Sequence, residues 1–121
     1  MKTLHGIDTV IIRVSDYQRA KTWYEEKLNL NPVFEDPKLK LVVMDTGSPV
    51  SLTLWQTEEP IVINRATSAY PIFRSHDARE AHRELTGRGV RTGDLITDHQ
   101  TTWFCLYDPD GNMIEVCQVH A

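Results

Sequence analysis

The stretch from Ile7 to Leu28, IDTVIIRVSDYQRAKTWYEEKL, decides the fold class. Ile7 to Val14 is rich in β-branched residues and reads as a strand, and Ser15-Asp16 supplies helix N-cap chemistry directly after it. A strand therefore runs straight into a helix. From Tyr17 to Leu28 the apolar positions Tyr17, Ala20, Trp23, Tyr24 and Leu28 fall on one face of a 3.6-residue period, while Lys21, Glu25, Glu26 and Lys27 take the wet side. Trp23 and Tyr24 read as core residues.

Beyond the helix, Pro32 bars its continuation, and three strands are predicted at Pro32 to Glu35, Leu39 to Asp45 and Ser51 to Gln56. Asp36-Pro37 and Gly47-Ser48-Pro49 mark the turns between them. Thr57 to Ser68 lacks a clean period and reads as a connector. The order then repeats: a strand over Ala69 to Arg74, a cap at His76-Asp77, and a helix from Ala78 to Leu85 ended by Gly87 and Gly89. Three further strands follow at Val90 to Thr97, Thr101 to Tyr107 and Asn112 to Val119, with Asp108-Pro109-Asp110-Gly111 as a hairpin turn.

Subtraction tests the repeat. The caps Asp16 and Asp77 differ by 61, as do Ala20 and Ala81. Two βαβββ modules are therefore expected, over residues 1–56 and 69–121, with 57–68 between them. One helix cannot cover a four-stranded sheet, so pairing two modules would bury what each exposes. The expected α+β fold is a pair of curved mixed sheets, eight strands in all, around a cup where a small ligand finds apolar walls and a few polar groups.

Composition narrows the function. At 121 residues there is no room for two independent domains with a cleft between them. The formal charge is -4 and the basic residues are scattered, which argues against nucleic acid and anionic membrane as partners. Residues 1–5 carry no apolar signal region, and no window approaches the roughly 18 apolar residues of a membrane span, so a cytoplasmic protein is expected. Cys105 and Cys117, too few for a disulfide framework, read as free thiols. No Ser/His/Asp order, P-loop or G-x-G-x-x-G supports acyl transfer or a nucleotide cofactor.

The pattern V-S-D-x-x-x-A-x-x-W-Y-x-x-x-L-x-x-x-P from Val14 to Pro32, joined to D-P-D-G-N-M-I-E from Asp108 to Glu115, resembles the vicinal oxygen chelate superfamily. That superfamily includes glyoxalase I, extradiol dioxygenases, fosfomycin-resistance transferases and bleomycin-resistance binding proteins. In metal-using members the resemblance implies ligands at the places held here by Thr9, Thr53, Tyr70 and Glu115. Tyr70 and Thr9 differ by 61 and Glu115 and Thr53 by 62, as repeat-related positions should. Only Glu115 keeps a ligand. A catalytic divalent ion needs about three donors from His, Asp, Glu or Cys, so no metal and no other cofactor is expected. His5 precedes the first ligand place by four residues, and His76, His82, His99 and His120 read as surface histidines.

Several residues carry two readings. Alternation puts Met113, Glu115 and Cys117 on one face. Glu115 is either a structural remnant bonded by Tyr70, Thr9 or Thr53, or a ligand anchor and general base. Tyr70 is a core aromatic or a donor to a ligand. Trp55, on the face of Thr53, is a wall against a planar ligand or plain core. The parity of the strand containing Trp103 and Phe104 leaves open which of the two lines the cup. Arg13 and Arg74, also 61 apart, lie on the faces of Thr9 and Tyr70, and glyoxalase I uses the place of Arg13 to contact glutathione. The alternative is strand-end arginines in water. Cys117 beside a carboxylate is a poor nucleophile.

Metal-independent binding of a small hydrophobic or aromatic molecule is therefore expected, as in the drug-binding branch, by a homodimer like other small members of the superfamily. The rival is a glyoxalase-like or dioxygenase-like enzyme in which Glu115 is a metal ligand or a proton-transfer base.

Overall fold

Asp16 has an extended backbone and its carboxylate accepts hydrogen bonds from the N–H groups of Gln18 and Arg19, both at 3.1 Å, so the first helix starts where the sequence predicts. Asn29, left-handed at φ 57°, ends it. The structure is a computed structural model and describes residues 2–120. Its elements are β1 (Thr9–Val14), α1 (Tyr17–Leu28), β2 (Asn31–Asp36), β3 (Leu41–Asp45), β4 (Ser51–Gln56), β5 (Ile72–Arg74), α2 (Ala78–Gly87), β6 (Arg91–Thr92), β7 (Ile96–Thr97), β8 (Thr101–Tyr107) and β9 (Met113–Val119). The chain divides into two units between Ile61 and Val62.

In the first unit the sheet order is β1-β4-β3-β2, with β1 parallel to β4 and the other pairs antiparallel. Ile12, Leu54, Val42 and Glu35 stand side by side in register. The first three are at most 6% exposed, because α1 covers this face with Tyr17, Ala20 and Tyr24. Tyr17 and Lys21 of α1 reach Glu35 at 3.3 and 2.8 Å. The opposite face, with Ile11, Thr53, Val43 and Phe34 in register, carries no helix of this unit.

The second unit repeats the plan as β5-β9-β8-β6, with β7 also on β8. Ile72 aligns with Glu115 and Arg74 with Cys117, as Ile11 aligns with Thr53 and Arg13 with Trp55. The offsets of 61 and 62 found by subtraction are thus offsets of strand register. A second duplicated device was not read from the sequence: Gln56 and Gln118, near the ends of β4 and β9, accept the first N–H of each helix, Tyr17 at 3.1 Å and Ala78 at 2.9 Å.

The predicted strand over Val90 to Thr97 is split in two. Both pieces pair with β8, but four residues from Thr92 to Ile96 advance against three from Leu106 to Trp103, which forces a bulge at Gly93 to Leu95. The Gly93 N–H donates to the Cys105 carbonyl at 2.7 Å, which keeps the start of the bulge on the β8 backbone. β5 is also shorter than predicted. Its ladder nevertheless extends one bond past each end, from Glu115 N–H to Pro71 and from Ser75 N–H to Cys117.

Candidate functional site

The open face of the second sheet gathers most of the polar and aromatic candidates. Burial alternates strictly along β8, with Thr102, Phe104 and Leu106 buried and Thr101, Trp103, Cys105 and Tyr107 half-buried. Phe104 is fully buried and meets the His82 ring of α2 edge-on at 4.8 Å. Trp103 therefore takes the other face, opposite Cys117, while Cys105 faces Glu115 and Tyr107 faces Met113. That settles the parity left open by the sequence. His82 is not a surface histidine, since its Nε2 lies 2.9 Å from the Gly93 carbonyl and its ring is half-buried. The bulge that begins at Gly93 brings that carbonyl within reach, which helical spacing alone does not reveal.

Asp108 builds the turn that delivers Glu115. It is 4% exposed, its carboxylate accepts from the N–H groups of Asp110 and Asn112 and from Asn112 Nδ2, and Gly111 takes the left-handed φ of 84° that the turn requires. β9 then runs as an alternating strand with Glu115 half-buried on the open face. Burial pushes the Glu115 carboxyl above the ordinary carboxylate range. The Cys105 thiol opposite is pushed up by burial first and then by the Glu115 charge, against a downward pull from Arg65. Cys105 and Cys117 are both free thiols.

The remaining candidates fall into place unit by unit. Thr9 and Thr53 are brought together, with hydroxyls 2.8 Å apart, and Thr9 also donates to the Ser51 carbonyl at 3.2 Å. Each hydroxyl thus satisfies the other. Trp55 is pinned by its indole N–H, which donates to the Leu39 carbonyl at 3.0 Å. Arg13 lies over the Trp55 ring at 5.2 Å and donates to the carbonyls of Trp55 and Gln56, both at 3.1 Å, so it closes the β1/β4 ladder. Arg74 is exposed on β5 beside Cys117. Tyr70 lies two residues ahead of β5, is 39% exposed, and gives Glu115 no hydrogen bond.

The four places at which the resemblance implies ligands thus hold two mutually bonded threonines, an exposed phenol and one carboxylate. Neutral hydroxyls of this kind are poor donors to a divalent ion, and the set does not fit a catalytic metal. Among the described residues no three His, Cys, Asp or Glu side chains gather as a metal site.

Sequence reasoning missed Arg65, Arg91 and Tyr107. Both guanidinium groups lie over the Tyr107 ring, at 4.5 and 4.7 Å from its centroid. Period-two alternation from Trp103 would have placed Tyr107 on this face, but only the strand register puts Arg91 opposite it. Nothing in the local sequence signals that the connector returns Arg65 to β8.

The sequence profile of the Glyoxalase/Bleomycin resistance protein/Dioxygenase superfamily matches residues 6–116. A curated relative, biphenyl-2,3-diol 1,2-dioxygenase 2 of Rhodococcus globerulus, is 24% identical over 115 residues, covering 88% of this chain and 59% of the relative. The chain therefore spans well under two thirds of that protein's length. Among solved structures, a Glyoxalase/bleomycin resistance protein/dioxygenase superfamily member from Sphaerobacter thermophilus superposes with a TM-score of 0.79 at 23% identity, over 97% of this chain and 99% of that one. TnmS3, an antibiotic binding protein from a Streptomyces species, gives 0.79 at 20% identity, over 99% and 100%. At such identities the structural matches establish the fold alone. No helix among the described residues is long and apolar enough to cross a membrane.

Proposed function

The chain belongs to the Glyoxalase/Bleomycin resistance protein/Dioxygenase superfamily, and from that premise we propose that it binds a small hydrophobic or aromatic molecule without a metal ion and leaves it unaltered. The observation that carries this reading is the donor set: of four ligand places, only Glu115 offers a charged oxygen, and Thr9 and Thr53 bond each other. Trp103, Tyr107 and Met113 on the open face supply contact area to a ring, and Glu115 supplies a polar handle. The antibiotic binding protein of the same fold is a precedent for such a use. The homodimer and the cytoplasmic setting expected from the sequence are part of the same proposal.

A thermal-shift screen of wild type and Glu115→Gln against divalent metals and aromatic small molecules tests it. Stabilisation of wild type by an organic ligand, with none from divalent ions, is the expected pattern. The reverse pattern defeats it.

The second reading is an enzyme in which Glu115 is the proton-transfer base. It is favoured by the upward shift of that carboxyl and by the similarity to a dioxygenase. Turnover of a candidate substrate that is abolished in Glu115→Gln would establish it.

A further inference from the structure

We propose that Arg65 and Arg91, converging on the Tyr107 ring, form a recognition site for the carboxylate of a planar aromatic ligand. The proposal rests on the aromatic-binding reading above and adds the charge of the ligand and the residues that read it.

Each guanidinium lies within 5 Å of the Tyr107 ring centroid, so one phenol ring is shared by two positive charges, and like charges on one side chain repel. On α2 two arginines are ion-paired, Arg83 with Glu80 and Arg88 with Glu84. Among the described residues neither Arg65 nor Arg91 has an ion pair or a hydrogen bond; each lies against the ring, and Arg65 also acts on the Cys105 thiol. A guanidinium that meets an aromatic ring through its face keeps its edge N–H donors for an acceptor, and two such forks suit the two oxygens of a carboxylate. An anion seated there relieves the repulsion of both cations.

The positions are built rather than incidental. Arg91 stands directly opposite Tyr107 in the β6/β8 ladder, and Met113 stands opposite Tyr107 on its other side in β9. Arg65 is carried by a closed loop: the Asn64 carbonyl accepts from the N–H groups of Thr67 at 3.1 Å and Ser68 at 2.8 Å, and the Asn64 side chain accepts from Ala66 at 3.0 Å. The Ser68 hydroxyl in turn accepts from the Asn64 N–H at 3.2 Å. A planar ring lying beside Tyr107 over Met113 and Cys105 therefore presents a carboxylate edge to both arginines. In a chain of net charge -4 two cations on one ring make a locally positive patch, and it selects an anion that the molecule as a whole repels.

The test is calorimetric titration of the protein, at low ionic strength, with 2-naphthoate and with its neutral counterpart 2-naphthamide. Wild type is expected to prefer the carboxylate by about tenfold, and Arg65→Gln and Arg91→Gln each to lower carboxylate affinity by about three- to tenfold while leaving the amide unchanged. Arg79→Gln, on the exposed side of α2, is expected to change neither. Equal binding of both probes, or a preference that survives both substitutions, overturns the anion site and leaves the aromatic-binding reading standing. Binding of neither probe overturns both. Both arginines are exposed, so their variants are expected to fold, and unchanged melting confirms it.

Discussion

Glu115 is the residue on which stability and the proposed function meet. Its carboxyl titrates above the ordinary value of 4.5 because burial disfavours the charged form. The folded protein therefore holds that proton more tightly than the unfolded chain does. Below the unfolded pKa both states are protonated and nothing is lost; as pH rises through the folded pKa, an ionised carboxylate destabilises the fold. Glu115→Gln, of similar shape and never charged, should melt close to wild type near pH 4 and above it at pH 7. Melting curves across that range decide the matter, and a difference independent of pH would refute it. The identity of this residue was legible in the D-P-D-G motif ahead of it. The convergence of Arg65 and Arg91 was not, because cation–π contacts between a connector, a two-residue strand and β8 have no periodicity to betray them.

At the scale of elements, caps and periods carried the prediction where burial is one-sided. Both helices start at the predicted residue, since Asp16 and Asp77 each accept from a backbone N–H of the first turn. β8 and β4 match their predicted bounds. Prediction failed where backbone pairing overrides propensity: the bulge at Gly93 to Leu95 answers to β8, and β5 is cut to three residues after Pro71, which has no N–H to give. The glutamine ties were likewise hidden, because a glutamine at a strand end has many uses and only the fold aims it at a helix. Gln56→Ala and Gln118→Ala each remove an acceptor from a helix start and should cost about 1 kcal/mol, by analogy with cap deletions. Urea denaturation measures this; a loss within error at both sites would show that water takes over the role.

For the whole molecule, the duplication was legible by subtraction because landmarks recur at a fixed offset even where sequence identity between the halves is weak. What subtraction cannot supply is which strands join, and here the answer bears on how the chain reaches its final form. In each unit the first strand joins the last one in parallel, Thr9 beside Ser51 and Ile72 beside Glu115, whereas β8 and β9 are joined by a tight turn. Closing a long loop costs entropy before any distant contact is gained, so the tight-turn pairing should precede the parallel one. Pulse-labelled exchange during refolding should find amides of β8 and β9 shielded before that of Ser75, which bonds to Cys117 from beyond β5. On the ribosome the consequence is one of waiting: the earliest strand of each half emerges with an unsatisfied flank, and it stays open to aggregation until the latest strand arrives to seal it.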